Sequence, residues 1–298
     1  MRVSPSCAAC LWERQKQKTP DPDYLARVRE IIDTRKEDDT APYLVYLFAE
    51  AHEKFFGKPP SFREVKKRYN DCVLRLEPAI RSRIAASPDP LAAALAFARA
   101  GNYIDFGALE KVEQDTLLTL LDTASLNERD LPAYREFLRA CRAAESFLLI
   151  ADNCGEIVLD KLFLEELRKS FPRLSCAVMV RGSEVLNDAT SEDAEQAGMG
   201  KVAEIISSGA AAAGAIYQLM SSEARNALDT ADVILAKGQG NYESLCNQGR
   251  HIFYSLLCKC ELFTARFQAP LFTGIFAEER PVSSEAAPLH EPAPDAGP

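Results

Sequence analysis

Three short segments join hard oxygen donors, a cation and glycine at the ends of apolar runs, a combination suited to a divalent metal beside a phosphate. The first, Asp152-Asn153-Cys154-Gly155-Glu156, follows the apolar run 147–151. The second, Asn187-Asp188-Ala189-Thr190, lies beyond a strand-like run at 175–180. The third, Lys237-Gly238-Gln239-Gly240-Asn241, opens where the run 231–236 stops. An ionised aspartate and an amide carbonyl suit Mg²⁺ or Mn²⁺, with water and phosphate oxygens completing the shell. If the first two runs are adjacent parallel strands, Asp152, Asn153 and Asp188 reach one rim of the sheet. Gly155 lets its turn pass close to a phosphate, and helix N–H groups from Glu156 onward can face the same oxygens. The Lys237 ammonium can pair with that phosphate while Gly238, Gly240 and Asn241 supply donors around it.

Each segment also has a plainer use. Asp152 to Gly155 can be a turn that caps the next helix, and Thr190 with Asp193 can open another. Lys237 can be a solvent-facing loop lysine. Gly238-Gln239-Gly240 is no dinucleotide fingerprint, because Glu243 stands where the third glycine belongs. In Gly101-Asn102-Tyr103-Ile104-Asp105-Phe106-Gly107, Asn102 and Asp105 can descend onto the metal-side cleft. Taken alone, this segment favours Asn102 as a helix cap and Asp105 as a turn residue.

The elements that must carry these residues change character along the chain. Residues 24 to about 121 show helical spacing: Tyr43, Leu44, Leu47, Phe48, Ala51 and Phe55 share a face that stops at Gly57. A second helix carries Val65, Tyr69, Cys72, Val73 and Leu76 and is expected to end near Glu77-Pro78; a third runs from Pro90 to Ala100. Strand and helix then alternate: helix 132–144, strand 147–151, helix 155–169, strand 175–180, a helix from Ser191, and strands at 231–236 and 251–257. That order predicts a layered α/β domain over 126–278 behind a mainly helical domain over 1–125. Residues 279–298, with five prolines, are expected to be a disordered tail.

Composition excludes several classes. Forty-four acidic residues against 35 Lys and Arg give a formal charge of −9, which disfavours a nucleic-acid surface but tolerates a small phosphorylated substrate. No membrane span is expected, since the longest low-charge stretch, 205–220, contains Ser, Gly and Gln. The first thirteen residues lack a long apolar segment, so a secretion signal is not expected. Nine scattered cysteines fit a reducing cytoplasm. Cys7 and Cys10 with Cys258 and Cys260 could form a soft-metal site only if the N-terminus returned to the sheet; isolated cysteines are the commoner arrangement.

Taken together, Cys7-Ala8-Ala9-Cys10, GNYIDFG, ADNCGEIVLD, LNDATSEDA and ADVILAKGQGNYESL, in this order and reaching about residue 276, resemble the DUF89 family, the ARMT1-like damage-control phosphatases, in its shorter microbial branch. The resemblance implies a helical bundle joined to a Rossmann-like α/β/α domain, and metal-dependent hydrolysis of phosphate esters. It places the metal-binding acid–amide pair on Asp152 and Asn153, the later metal-binding acid on Asp188 and the active-site lysine on Lys237; Asn102 and Asp105 follow its GNxxD-like pattern. It implies Mg, Mn, Co or Ni as the divalent ion and small phosphorylated metabolites, chiefly sugar phosphates, as substrates. Two alternatives stay open: S-adenosylmethionine-dependent carboxyl methyl transfer, proposed within the wider family, and noncatalytic metabolite binding. The sequence does not fix an oligomeric state.

Overall fold

The computed structural model describes residues 1–102 and 121–281. Five helices come first: α1 (Pro5–Lys18), α2 (Pro22–Asp33), α3 (Ala41–Phe56), α4 (Arg63–Ala86) and α5 (Pro90–Gly101). Four of them, α1, α2, α3 and α5, start at a Ser, Thr or Asp whose side chain accepts an early backbone N–H, with proline in the first turn. Gly57 ends α3 at φ 79°, as its sequence position predicts.

The expected break at Pro78 is corrected: α4 continues through it to Ala86. A proline inside a helix costs about 3 kcal/mol. Beyond it, Ile80 and Ile84 are buried, and each contributes about 1.5–3 kcal/mol. That burial offsets the lost backbone bond and keeps the helix intact.

The remaining described α-helices and strands are α6 (Leu131–Ala143), β1 (Ser146–Ile150), α7 (Glu156–Ser170), β2 (Ser175–Val180), α8 (Ser191–Ala197), β3 (Glu204–Ser207), α9 (Ser222–Thr230), β4 (Val233–Lys237), α10 (Gly238–Leu245), β5 (Ile252–Leu257), α11 (Glu261–Phe267) and β6 (Gly274–Glu279). The strands form one sheet in the order β3-β2-β1-β4-β5-β6, parallel except for β6. This is the expected α/β architecture with a helical N-terminal region. Two edge strands, β3 and β6, were not among the expected strands. The four residues of β3 offer little alternation to read, and β6 depends on pairing back against β5. Buried Asp130 anchors β6 by accepting from the Phe276 N–H at 2.8 Å while pairing with Arg99 at 2.7 Å.

Successive residues of β1 face opposite sides of the sheet. Phe147 and Leu149 join a core with α4, α5, α6 and α7, whereas Leu148 and Ile150 join one with α9, α10 and α11. Helices α1 to α3 enclose a separate apolar cluster centred on Tyr24, Val28, Leu44 and Phe48. Thus α4 and α5 share the core of the sheet and bring helical residues to its rim. Among the described residues, no helix is long and apolar enough to cross a membrane. The segment with Asp105 and most of the expected tail, 282–298, lie outside the described residues.

Candidate active site

Strand β1 pairs with β2 on one side and β4 on the other, so the chain switches direction across the sheet at β1. The crevice at the carboxyl ends of such strands is where open α/β sheets place ligands. Backbone bonds continue beyond the strand ends and sew two loops together. The Ala189 N–H donates to Asp152 O and the Cys154 N–H to Asn187 O, each at 2.8 Å, with a bridge between Asn153 and Asp188. Local geometry therefore brings the carboxylates of Asp152 and Asp188 into one cluster.

Helix α4 clamps both loops. Its buried Asn70 accepts from the Gly155 N–H at 2.6 Å and donates to Asp193 at 2.9 Å and to Gln196. Asp193 also completes the capping box of Thr190 and pairs with buried Lys66 at 2.6 Å. The Gly155 backbone donor is consequently committed to Asn70. We expect Asn70→Ala to lower unfolding stability by about 2–4 kcal/mol, since each buried polar group left alone costs roughly 1–3 kcal/mol. A denaturant titration reads this directly, and an unchanged midpoint would refute the clamp.

Arg181, the residue immediately after β2, lies 1% exposed among the acids. Its Nε donates to Asp188 at 2.6 Å, and Nη1 donates to Asn241 at 2.9 Å. Nη2 lies a longer 3.5 Å from Asp152. Asn241 in turn donates to the backbone carbonyls of Ala151 and Lys237, so it braces β1 against β4. Burial, helped by the charges of Asp188 and Glu156, pushes the Asp152 carboxyl up to about 7, against the pull of Arg181 and Lys259. Burial also raises Asp188, with Arg181 opposing. Asp152 retains 16% side-chain exposure and is the more reachable carboxylate.

Glycine is required where α10 begins. Gly238 has φ 75°, and a β-carbon there would come within 2.0 Å of Asp152 Oδ2. Gly240 packs against Ala213 O, which a β-carbon would meet at 2.3 Å.

Lys237 and Glu156 sit differently from their expected place against phosphate. Lys237 is fully buried and donates to Glu156 Oε1 at 2.7 Å, Asp160 Oδ1 at 2.6 Å and Ala98 O at 3.1 Å. Its three protons are thereby used, and reaching a phosphate would break one of these bonds. Burial works against the Lys237 charge, but Asp160 and Glu156 outweigh it and hold its pKa above the ordinary lysine value. Glu156 is an acceptor enclosed by donors, so it has no complement for an anion. Burial raises Asp160 to about 7 even beside the lysine.

Asn102, at the end of α5, donates through Nδ2 to Asp152 Oδ2 at 2.7 Å and to Glu156 Oε2 at 3.0 Å. The structure therefore unites Asn102, Asp152, Asn153, Glu156, Asp188, Lys237 and Asn241 in one network. Sequence reasoning missed Arg181, Asp160 and Lys259. Arg181 and Lys259 had a readable signal, because each closely follows a parallel strand. Asp160 stands four residues after Glu156 in an otherwise apolar stretch, a spacing that places both acids on one helix face.

Among the described residues, no group of three or more His, Cys, Asp or Glu side chains is arranged for a metal. The oxygen donors gathered here are two carboxylates and asparagine carbonyls. Asn102 Oδ1 is buried without a hydrogen-bond partner among the described residues, and Asn153 Oδ1 accepts one bond, from Asn187 at 2.8 Å. Unfilled acceptors beside two acids fit a hard cation. The N-terminus does return to the sheet domain, where burial, with Glu243, Cys10 and Cys260 nearby, pushes Cys7 up to about 11, but these cysteines form no metal-holding group among the described residues.

Comparison with known proteins agrees with this fold. A family model described as the damage-control phosphatase ARMT1-like domain matches residues 4–272. A damage-control phosphatase of Archaeoglobus fulgidus is 30% identical over 276 residues, covering 88% of this chain and 93% of that protein. One from Pyrococcus horikoshii is 29% identical, covering 91% and 96%. The crystal structure of a DUF89 family protein from Pyrococcus horikoshii superposes with a TM-score of 0.77 at 26% identity, covering 93% of this chain and 99% of that one.

Proposed function

The chain belongs to the damage-control phosphatase ARMT1-like family, and on that premise we propose that it hydrolyses phosphate monoesters of small metabolites, sugar phosphates foremost, with a divalent cation. Asp152, Asn153 and Asp188 would hold the ion. The observation carrying this reading is a charge imbalance. Among the described residues, four buried or nearly buried carboxylates, Asp152, Asp188, Glu156 and Asp160, face only Arg181 and Lys237 in direct ion pairs. A buried surplus of negative charge is costly, and one divalent ion would balance it.

When bound, the ion supplies Lewis acidity that polarises a phosphoryl oxygen and helps orient an attacking water. The chain's own residues supply the surroundings. Arg181 fixes the Asp188 carboxylate, and Gly238 leaves Asp152 its space. Lys259, half-buried just after β5, makes no hydrogen bond or ion pair among the described residues, while its charge acts on Asp152. We assign to it the balancing of the transferred phosphate, the task expected of Lys237, because its ammonium is uncommitted among the described residues. Water is the preferred nucleophile, because Cys154 replaces the second acid of an Asp-x-Asp phosphatase pair and is itself buried.

A panel of phosphorylated metabolites tests the proposal. Phosphate release from at least one sugar phosphate should vanish on chelation and return with Mg²⁺, Mn²⁺, Co²⁺ or Ni²⁺. Chelator-resistant activity would overturn the metal dependence. Methyl transfer from S-adenosylmethionine without phosphate release would favour the alternative enzyme class.

A further inference from the structure

Glu156 occupies the first position of α7, and both of its oxygens are enclosed. Oε1 accepts from Lys237 at 2.7 Å; Oε2 accepts from Asn102 at 3.0 Å and Asn153 at 2.9 Å. A carboxylate can only accept, so each neighbour must turn a donor towards it. Asp152 Oδ2 imposes the same demand on both amides, at 2.7 Å and 2.9 Å. The nitrogen of each asparagine is thus held between two carboxylates, and its carbonyl must point elsewhere. For Asn102, the result is a buried Oδ1 without a partner among the described residues, on an amide whose nitrogen touches Asp152.

We propose that Glu156, charge-balanced by Lys237, is a positioning residue that holds the Asn102 and Asn153 amides in one orientation and so makes the Asn102 carbonyl oxygen an additional donor to the cation. The inference rests on the divalent-cation reading above. It links the helical region to the sheet, because Asn102 comes from α5, Glu156 from α7 and Lys237 from β4. Lys237 also donates to Ala98 O, which fixes the last turn of α5 at the height where Asn102 emerges.

Asp160 separates positioning from simple charge balance. It shares the Lys237 ammonium with Glu156 but has no hydrogen bond to either amide. Glu156→Gln retains size yet places an NH₂ group where only acceptors fit. That group must face either the ammonium or the two asparagine nitrogens, and in the second case the amides must turn or separate. Asp160→Asn removes the same charge without that conflict.

The test measures Mn²⁺ binding to the metal-free full chain by electron paramagnetic resonance, without substrate, with folding checked by circular dichroism. Glu156→Gln should weaken Mn²⁺ binding about tenfold or more, as loss of supporting groups around ligands commonly does, whereas Asp160→Asn, which removes one charge from the same surplus but turns no amide, should weaken it clearly less. Equal weakening in both variants, or none in Glu156→Gln, would overturn the positioning role. Asn102→Ala is the independent check should Glu156→Gln fail to fold: it should also weaken Mn²⁺, and wild-type affinity would remove the Asn102 oxygen from the site. If the wild-type chain binds no Mn²⁺, the cation reading itself falls and this inference with it.

Discussion

Asp152→Ala should reduce kcat/KM for phosphate release on the order of a thousandfold, because it removes the most accessible charged ligand of the proposed ion. Asp188→Ala should act in the same direction and leave Arg181 without its 2.6 Å partner. Folding should survive the first change. The Asp152 pKa, about 7, lies above its usual value, so its carboxylate is disfavoured in the folded chain. Its stability contribution is therefore greatest below the unfolded pKa and is lost as pH rises through about 7. An uncharged residue removes that penalty, and Asn102 and Asn153 each keep a bond to Glu156. The same shift makes protons compete with the cation, so the affinity of the metal-free chain for Mn²⁺ should fall as pH drops below about 7. Steady-state kinetics and Mn²⁺ titrations across pH, with thermal melts of each variant, check these outcomes. Full activity in Asp152→Ala, or a Mn²⁺ affinity of the metal-free chain that does not change between about pH 8 and about pH 5, would refute the assignment.

Lys237→Met should destabilise the chain by about 3–5 kcal/mol, the usual effect of leaving buried charges without their counter-ion. Glu156 and Asp160 are both fully buried, at 2.7 Å and 2.6 Å from the ammonium, so the methionine leaves two uncompensated acids together. For a chain of this size the melting temperature should drop on the order of 10 °C. Adding Asp160→Asn to Lys237→Met should restore part of the loss by removing one of those charges. A lysine acting only on bound phosphate would instead change KM and kcat while leaving the melting temperature intact, which makes calorimetry of the single and double variants decisive.

Much of the site could be located before its contacts were known. Asp152, Arg181, Lys237 and Lys259 all lie at or just beyond the carboxyl ends of parallel strands, where side chains leave the apolar sheet. Sequence reading found the first because an acid–amide pair ends its strand, and the third because a Gly-x-Gly loop follows it. It passed over Arg181 and Lys259, which stand alone at their strand ends without an adjoining acid–amide pair or Gly-x-Gly loop. The reversal of Lys237 has a similar cause. A lysine at a strand tip can extend towards solvent or turn beneath the rim, and only Glu156 and Asp160 on the packed face of α7 settle the direction.

The sequence by itself determined the alternation of apolar runs and helices, the turns carrying Asp152 and Asp188, and the oxygen-rich character of the site. These follow from local periodicity and side-chain chemistry, which need no distant partner. Tertiary structure alone decided that α4 runs through Pro78, that β3 and β6 flank the sheet, and that Lys237 is spent on an internal ion pair. Those outcomes depend on burial against residues far away in the chain, and desolvation together with charge pairing then selects among side-chain directions that local sequence leaves equal.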